Sequence, residues 1–371
     1  MSMRASVHRL SMAHPGDVSA LAALFDTGRL KPAHVVAVIG KTEGNGGVND
    51  FTRGFFTQSL SLLLAKRTGC SAESVMATLP CVLSGGTEGV LSPHYTAFGI
   101  DPDAPEGNGR DRRLALGVAM TAATSADANG RAGHARQVAE GVREAMRRAG
   151  IDSARDVVFV QVKCPILTAA RAQTAIAEGL SVATADPNRS MALARAAGAF
   201  GVALALGEIG ADRLRDEALL RDFSIYSRVA SVSSGVEVAV NEIVVLGMSA
   251  RWSGELCIAS HTMDDALDIA GIHGALAPLG MTPSPQLGVA DRARIEAVLV
   301  KCEPDRRGQI RGARHTMLDD TDINAQRHIR GALGGLVAGV LGDTRLFVSG
   351  GAEHQGPDGG GLIAVIARHG S

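Results

Sequence analysis

A five-residue pattern, Ser-[Gly/Ser]-Gly-x-Glu, closes an apolar run three times in this chain: Ser84-Gly85-Gly86-Thr87-Glu88, Ser233-Ser234-Gly235-Val236-Glu237 and Ser349-Gly350-Gly351-Ala352-Glu353. A second series keeps step with it. Residues 34–41 (HVVAVIGK), 156–163 (DVVFVQVK) and 294–301 (RIEAVLVK) are β-branched runs that stop at a lysine, Lys41, Lys163 or Lys301, and each lysine precedes its own serine. A third series lies between them: Arg53, Arg195 and Arg330 each head a small, apolar, helix-like run. Three Lys, Arg and Ser sets in one order predict an α/β fold of three structurally similar repeat units. With strands that end on polar residues, the units would sit about a pseudo-threefold axis with an active site at its centre.

The repeats place the units at residues 1–105, 112–250 and 255–371, which suits a prior of roughly 150 residues per domain. Only 3% of residues are aromatic and 45 are glycine, so the cores must pack Ala, Val, Leu and Ile, with close backbone approaches. In the first unit a polar arm precedes a helix at 17–25. A strand at 34–39, a helix at 49–66 and a strand at 75–83 follow. Pro, Gly and charge at 101–113 mark a linker. The second unit reads as a strand at 114–120, helices at 133–149, 168–178 and 190–206, and strands at 157–162, 229–232 and 242–247. The third reads as a helix at 263–269, a Gly/Pro spacer at 280–288, a strand to Lys301, a helix at 324–341 and strands at 345–348 and 362–366.

Several function classes drop out. A net charge of −1 gives no field for nucleic acid, and two tyrosines with one tryptophan leave few stacking platforms. Five cysteines without a C-x-x-C pair fit reduced thiols and a cytoplasmic setting. Residues 1–13 do not read as a secretory signal, and the apolar runs are too short and glycine-broken to span a bilayer, so no membrane partner is expected. Gly40-Lys41-Thr42 lacks the glycine that a phosphate-binding loop needs at position 35, which is Val35.

Serine is a weak nucleophile until a base takes its proton, and lysine serves as that base only when burial or neighbouring cations depress its pKa. Three lysines and three arginines drawn together would supply the depression. Backbone N–H groups in the Ser-[Gly/Ser] turns could donate to a carbonyl oxygen as it becomes an oxyanion, and removing one such donor typically costs about 3 kcal/mol. The implied substrate is a small polar ring with several carbonyls, and the implied reaction is hydrolysis of a cyclic amide. Taken singly, each feature has a plainer reading: a solvated lysine at a strand end, or ordinary turn chemistry. Ser231 and Ser234 compete with Ser233, Arg189 with Arg195, and Arg327 with Arg330.

The three sets, together with the tail Glu353-His354-Gln355-Gly356-Pro357-Asp358-Gly359-Gly360-Gly361, resemble the cyanuric acid hydrolase and barbiturase family over essentially the whole chain. The resemblance implies opening of cyanuric acid to carboxybiuret, which decarboxylates to biuret in s-triazine degradation, with no catalytic cofactor. It implies Lys163 as base and Ser233 as nucleophile. Ser84, Gly85, Ser233, Ser234, Ser349 and Gly350 would hold the ring oxygens, Arg53, Arg195 and Arg330 would clamp the ring, and Lys41 and Lys301 would also bind the substrate. It further implies a structural Mg²⁺ or Ca²⁺ held by Glu303, Ala352, Gln355, Gly356, Pro357 and Gly360, a hard-oxygen set, and a homotetramer. Barbituric acid remains the alternative substrate, with Gln326 a candidate for choosing between the two. A non-catalytic binding protein and a Ser-Lys amidase of linear amides are the readings from other classes.

Overall fold

The computed structural model describes residues 2–105 and 111–370. Strands β1 (Ser2–Ser11), β2 (Val35–Thr42), β3 (Cys81–Gly85) and β4 (His94–Ala104) stand in the order β3-β2-β4-β1. Strands β5 (Arg113–Ala123), β6 (Val157–Pro165), β7 (Ala230–Gly235) and β8 (Val240–Ser249) stand as β7-β6-β8-β5. The short β9 (Trp252–Ser253) adds to the first sheet beside β1, and β12 (Gln309–Ile310) pairs with β13 (Ala313–Arg314) in a separate hairpin. The third sheet takes β10 (Leu256–Met263), β11 (Ile295–Cys302), β14 (Phe347–Gly350) and β15 (Gly361–Arg368) in the order β10-β15-β11-β14. Read from the serine-bearing edge, all three sheets follow one plan: serine strand, lysine strand, closing strand, opening strand.

In each sheet the lysine and serine strands run parallel, so the chain must cross over between them, and it does so through helices. Phe51–Thr68 crosses in the first set, Ala169–Ala177 and Pro187–Ala205 in the second, and Ala325–Leu341 in the third. Short polar caps start these helices. Asp50 accepts from the Thr52 N–H, Asp186 from the Asn188 N–H with Pro187 in the first turn, and Asn324 from the Gln326 N–H. The closing strands β4, β8 and β15 pair antiparallel with the lysine strands.

One hydrophobic cluster draws on all three sheets. It joins Ile39 and Val82 of the first to Val160, Val162 and Val232 of the second and Leu299 and Phe347 of the third. β3 packs beside β6 and β7, and β14 beside β2 and β3, so the serine strands meet at the middle of the molecule. Outer clusters seat the helices: Phe56, Leu60 and Leu64 pack on the first sheet, and Ile329, Leu333 and Val337 on the third. The five cysteines are all free. No described helix is long and apolar enough to cross a membrane.

The structure departs from the sequence expectations mainly at the outer strands. Residues 2–11 form β1, not a polar arm, because pairing with β4 and β9 satisfies their backbone. Only Cys81–Gly85 of the strand expected at 75–83 is extended; Ala72–Met76 is helical, capped by the Ser71 hydroxyl. The linker expected at 101–113 is largely strand at both ends, since β4 runs to Ala104 and β5 starts at Arg113, while residues 106–110 lie outside the described ones. The helix expected at 263–269 sits further on at Ile269–Leu276, because Asp268 caps it by accepting from the Gly271 N–H. Each set is therefore a four-stranded sheet with its crossover helices, to which β9 adds a fifth strand in the first.

Gly117 on β5 lies against the helix Ala132–Arg148, and a Cβ there would overlap the Ala145 carbonyl oxygen. A backbone atom cannot turn aside as a side chain can, so Gly117→Ala is expected to cost about 1–3 kcal/mol in urea unfolding. A variant as stable as the parent would show that this packing does not govern the helix position.

Candidate active site

The register of the strands builds the site. Lys41 pairs with Ser84, Lys163 with Ser233 and Lys301 with Ser349, each across a parallel ladder. All three lysines are buried, and Ser233 and Ser349 are buried with them. Lys41 Nζ donates to Ser84 Oγ at 3.3 Å and to the Gly85 carbonyl at 3.1 Å. Lys301 Nζ repeats this arrangement at 3.0 Å from Ser349 Oγ and 2.9 Å from the Gly350 carbonyl. Lys163 breaks it. Its Nζ lies 2.6 Å from Glu237 Oε1 and donates to the Leu83 carbonyl at 3.0 Å, while Ser233 Oγ lies 3.4 Å from Ser349 Oγ.

These groups converge on one cavity of about 500 Å³. Arg53, Ser84, Gly85, Lys163, Arg195, Ser233, Ser234, Gln326, Arg330, Ser349 and Gly350 all line it. Lys41 and Lys301 do not; they stand behind their serines, and Lys163 is the lysine that borders the space. Among the rivals, Ser231 bonds Gln161 away from the cavity, Arg189 is exposed and absent from the wall, and Arg327 reaches the rim. Ser234 shares the wall with Ser233, its hydroxyl accepting from Arg195 Nη1 at 3.3 Å and donating to the Met191 carbonyl at 3.0 Å. Gln326 Oε1 accepts the Gly351 N–H at 2.7 Å, so its side chain is tied to the third motif. Arg195 and Arg330 lie within their helices, as the expected spans 190–206 and 324–341 place them.

Sequence reasoning listed the glutamate of each motif but gave it no task. In the structure Glu88 takes Arg330 at 2.6 and 2.9 Å, and Glu353 takes Arg195 at 2.6 and 2.7 Å. Glu237 lies 2.8 Å from Arg53 Nε, a contact that is ionic without hydrogen-bond alignment. Each pair joins the arginine of one set to the motif of the next, first to second, second to third and third to first. The glycine two residues before each glutamate is needed for space: a Cβ on Gly86 or Gly235 would strike the glutamate carboxylate, and one on Gly351 the Arg195 guanidinium. Sequence reasoning also missed Asn45, Gly46, Gly47, Asn188, Met191, Asp322 and Asn324 on the wall. Asn188 and Met191 lie in the first turns of the helix Pro187–Ala205 and the others in loops, and none belongs to the threefold series.

Burial depresses all three lysines. Lys41 is held well below the usual amine range by burial and then by Arg330. Lys301 is lowered to about 7 by burial and Arg195. Burial and Arg53 lower Lys163 as well, but Glu237 works against them. For Glu237, burial acts to raise the pKa, and Lys163 and Arg53 outweigh it, so the carboxyl stays below its ordinary range. A neutral amine beside a buried serine hydroxyl can act as a general base.

Of the other predicted residues, Ala352, Gln355, Gly356, Pro357 and Gly360 lie in the loop between β14 and β15, and Glu303 directly follows β11. Glu303 is buried, and burial, then Glu353 and Asp358, push its carboxyl up to about 8. Glu353 is taken by Arg195 and Asp358 by Arg306, whereas Glu303 finds no hydrogen-bonding partner among the described residues. The Ala352 carbonyl accepts from the Gln355 N–H and the Pro357 carbonyl from the Gly360 N–H, while the Gln355 side chain is engaged by the Val232 N–H. No three acidic, histidine or cysteine side chains group as a metal site among the described residues, so a cation here would draw on carbonyls.

A family model described as amidohydrolase ring-opening protein matches residues 6–368. The cyanuric acid amidohydrolase of Azorhizobium caulinodans is 50% identical over 365 residues, 98% of each chain, and that of Ectopseudomonas oleovorans is 48% identical over 366 residues, 99% of this chain and all of the other. A solved cyanuric acid hydrolase, described as an evolutionary innovation by structural concatenation, superposes with a TM-score of 0.94 at 44% identity, over 99% of this chain and all of that one. The crystal structure of the A. caulinodans hydrolase gives 0.90 at 49% identity with the same coverage. With both its sequence and its mixed α/β fold matched from end to end, the chain belongs to the ring-opening amidohydrolase family.

Proposed function

We propose that this protein hydrolyses a ring amide of cyanuric acid, with Ser233 as nucleophile and Lys163 as its base. The observation that carries the reading is the set of three register-matched lysine–serine pairs around one small cavity, of which a single lysine, Lys163, borders the space. A triazine trione presents three carbonyls at equal angles, and three sets about a pseudo-threefold axis would offer one serine and one arginine to each. The units would follow the divisions 1–105, 112–250 and 255–371.

In the reaction, the Ser233 proton passes to neutral Lys163 as Oγ attacks a ring carbonyl. The Lys163 side chain must first leave Glu237 and turn to the adjacent Ser233, the arrangement Lys41 and Lys301 already hold with their serines. The C–N bond then breaks, the ring nitrogen takes the proton from Lys163, and water releases carboxybiuret from the acyl-serine. Loss of carbon dioxide gives biuret. N–H groups of the serine turns would hold the oxyanion, and the cationic surroundings would favour it.

The Glu303 loop fits a structural divalent cation. A buried carboxyl that makes no hydrogen bond among the described residues, together with loop carbonyls, is the donor chemistry that Mg²⁺ or Ca²⁺ takes. Such an ion would neutralise Glu303 and pin the loop behind Ser349; it takes no part in the steps above.

Three outcomes test this reading. Lys163→Ala and Ser233→Ala are each expected to lower biuret release by about a thousandfold or more, as removal of one member of a cooperating pair does; full activity in either would end the assignment. Preference for barbituric acid in a kcat/KM comparison would transfer the activity to the sister substrate. For the cation, adding Ca²⁺ or Mg²⁺ to chelator-treated protein should raise stability by about 2–3 kcal/mol at a hundredfold excess over Kd. Glu303→Gln should lose that gain in thermal melts.

A further inference from the structure

Each lysine has a second neighbour, across the antiparallel ladder on the side away from its serine, and there the three sets differ. Lys41 stands opposite His94, Lys163 opposite Glu242 and Lys301 opposite Leu362. Directly opposed residues project from the same face of a sheet with Cβ atoms about 4.5–5.5 Å apart. Burial lowers His94 to about 4, so its imidazole is neutral near pH 7, and its Nδ1 bonds the Ser92 carbonyl at 2.8 Å. Leu362 carries no charge. The middle lysine is thus the one with an ionisable carboxyl at this position.

Glu242 is buried, and its Oε2 accepts the Cys81 N–H at 2.9 Å, which fixes the side chain between the first and second sheets. The titratable and charged groups around it are Lys163 on β6, Cys81 on β3 and Glu237 beyond β7. Arg53 adds a positive charge against Lys163 and Glu237. With both carboxyls ionised and Lys163 protonated, this buried group is neutral overall. Without the Glu242 charge, an ammonium on Lys163 would leave one positive charge in excess, which a low-dielectric interior penalises.

We propose that Glu242 is a positioning residue for the reaction: from across the strand ladder its carboxylate steadies the ammonium that Lys163 becomes on taking the Ser233 proton, a support that Lys41 and Lys301 lack at the matching position. The inference rests on Lys163 as the base. A buried lysine with too little basicity cannot hold a serine proton, and burial drives all three lysines that way. Glu242 offsets that drive at the lysine that borders the cavity.

Glu242→Gln keeps the shape and leaves an oxygen for the Cys81 N–H. The acid limb of the kcat/KM–pH profile is expected to move about one unit to lower pH, because Lys163 without the carboxylate gives up its proton sooner. The rate above the limb should fall about tenfold as the base weakens. Burial holds Glu242 itself at about 7, so the wild-type limb should show two coupled steps and the variant one. Glu242→His, which copies the pairing of the first set, should give the same shift. Unmoved limbs in folded Gln and His variants would overturn the inference, as would one shared by the only variant that folds. Lys163→Ala, measured alongside, separates the two ideas: activity in it removes the base assignment, whereas its inactivity with unmoved limbs removes the role of Glu242 alone.

Discussion

Three lysine side chains buried at the meeting of three sheets are the constraint that the rest of the site serves. An ammonium taken out of water without partners is costly enough that the group gives up its proton instead. Lys41 and Lys301 each find a serine oxygen and a backbone carbonyl within 3.3 Å, and Lys163 finds a carboxylate and a carbonyl within 3.0 Å. Parallel pairing supplies these partners without long-range searching, because the same register sets each lysine beside its serine. The positive charge that remains, with three arginines on the wall, suits a ring whose rim is oxygen.

The arginine–glutamate pairs close the site in a circle. Arg53 meets Glu237, Arg195 meets Glu353 and Arg330 meets Glu88, so no sheet completes its own part of the wall. Two of these pairs are bidentate, a geometry that fixes orientation as well as distance. The glycine in the third place of each motif follows from this, since the ion pair occupies the space its Cβ would take. Each guanidinium is then held by one edge to a carboxylate, and what it offers a ligand is what the pair leaves over.

Much of this was legible in the chain because it was said three times. The recurring Lys, Arg and Ser, each weak alone, marked the residues that line the cavity or stand behind it. What was missed lies mostly outside the three motifs. β1 and β4 carry no site residue, and their pairing depends on partners some ninety residues apart, such as Val7 with Phe98. The helix Ala72–Met76 hangs on a single serine cap. The glutamates were visible as letters of the motif, but their partners lie on other sheets, and spacing along the chain carries no sign of that. The opposition of Glu242 to Lys163 is a fact of register, set by where β8 pairs and not by any pattern within it.

A frame repeated three times would give a symmetric ligand three equal chances of reaction, and the differences between the sets decide among them. Ser84 and Ser349 are each already bonded by their lysine, whose amine is shut away from the cavity. Ser233 has no such bond; its lysine borders the cavity and is drawn aside by Glu237, and its hydroxyl faces that of Ser349. On the proposed reading, two serines hold ring oxygens in place and the third is left able to move its proton. The sheet edges repeat the same lysine–serine pairing, while the unlike residues opposite the lysines, His94, Glu242 and Leu362, give each amine a different electrostatic setting. On that reading, binding and bond-breaking fall to different positions of like-ordered ladders.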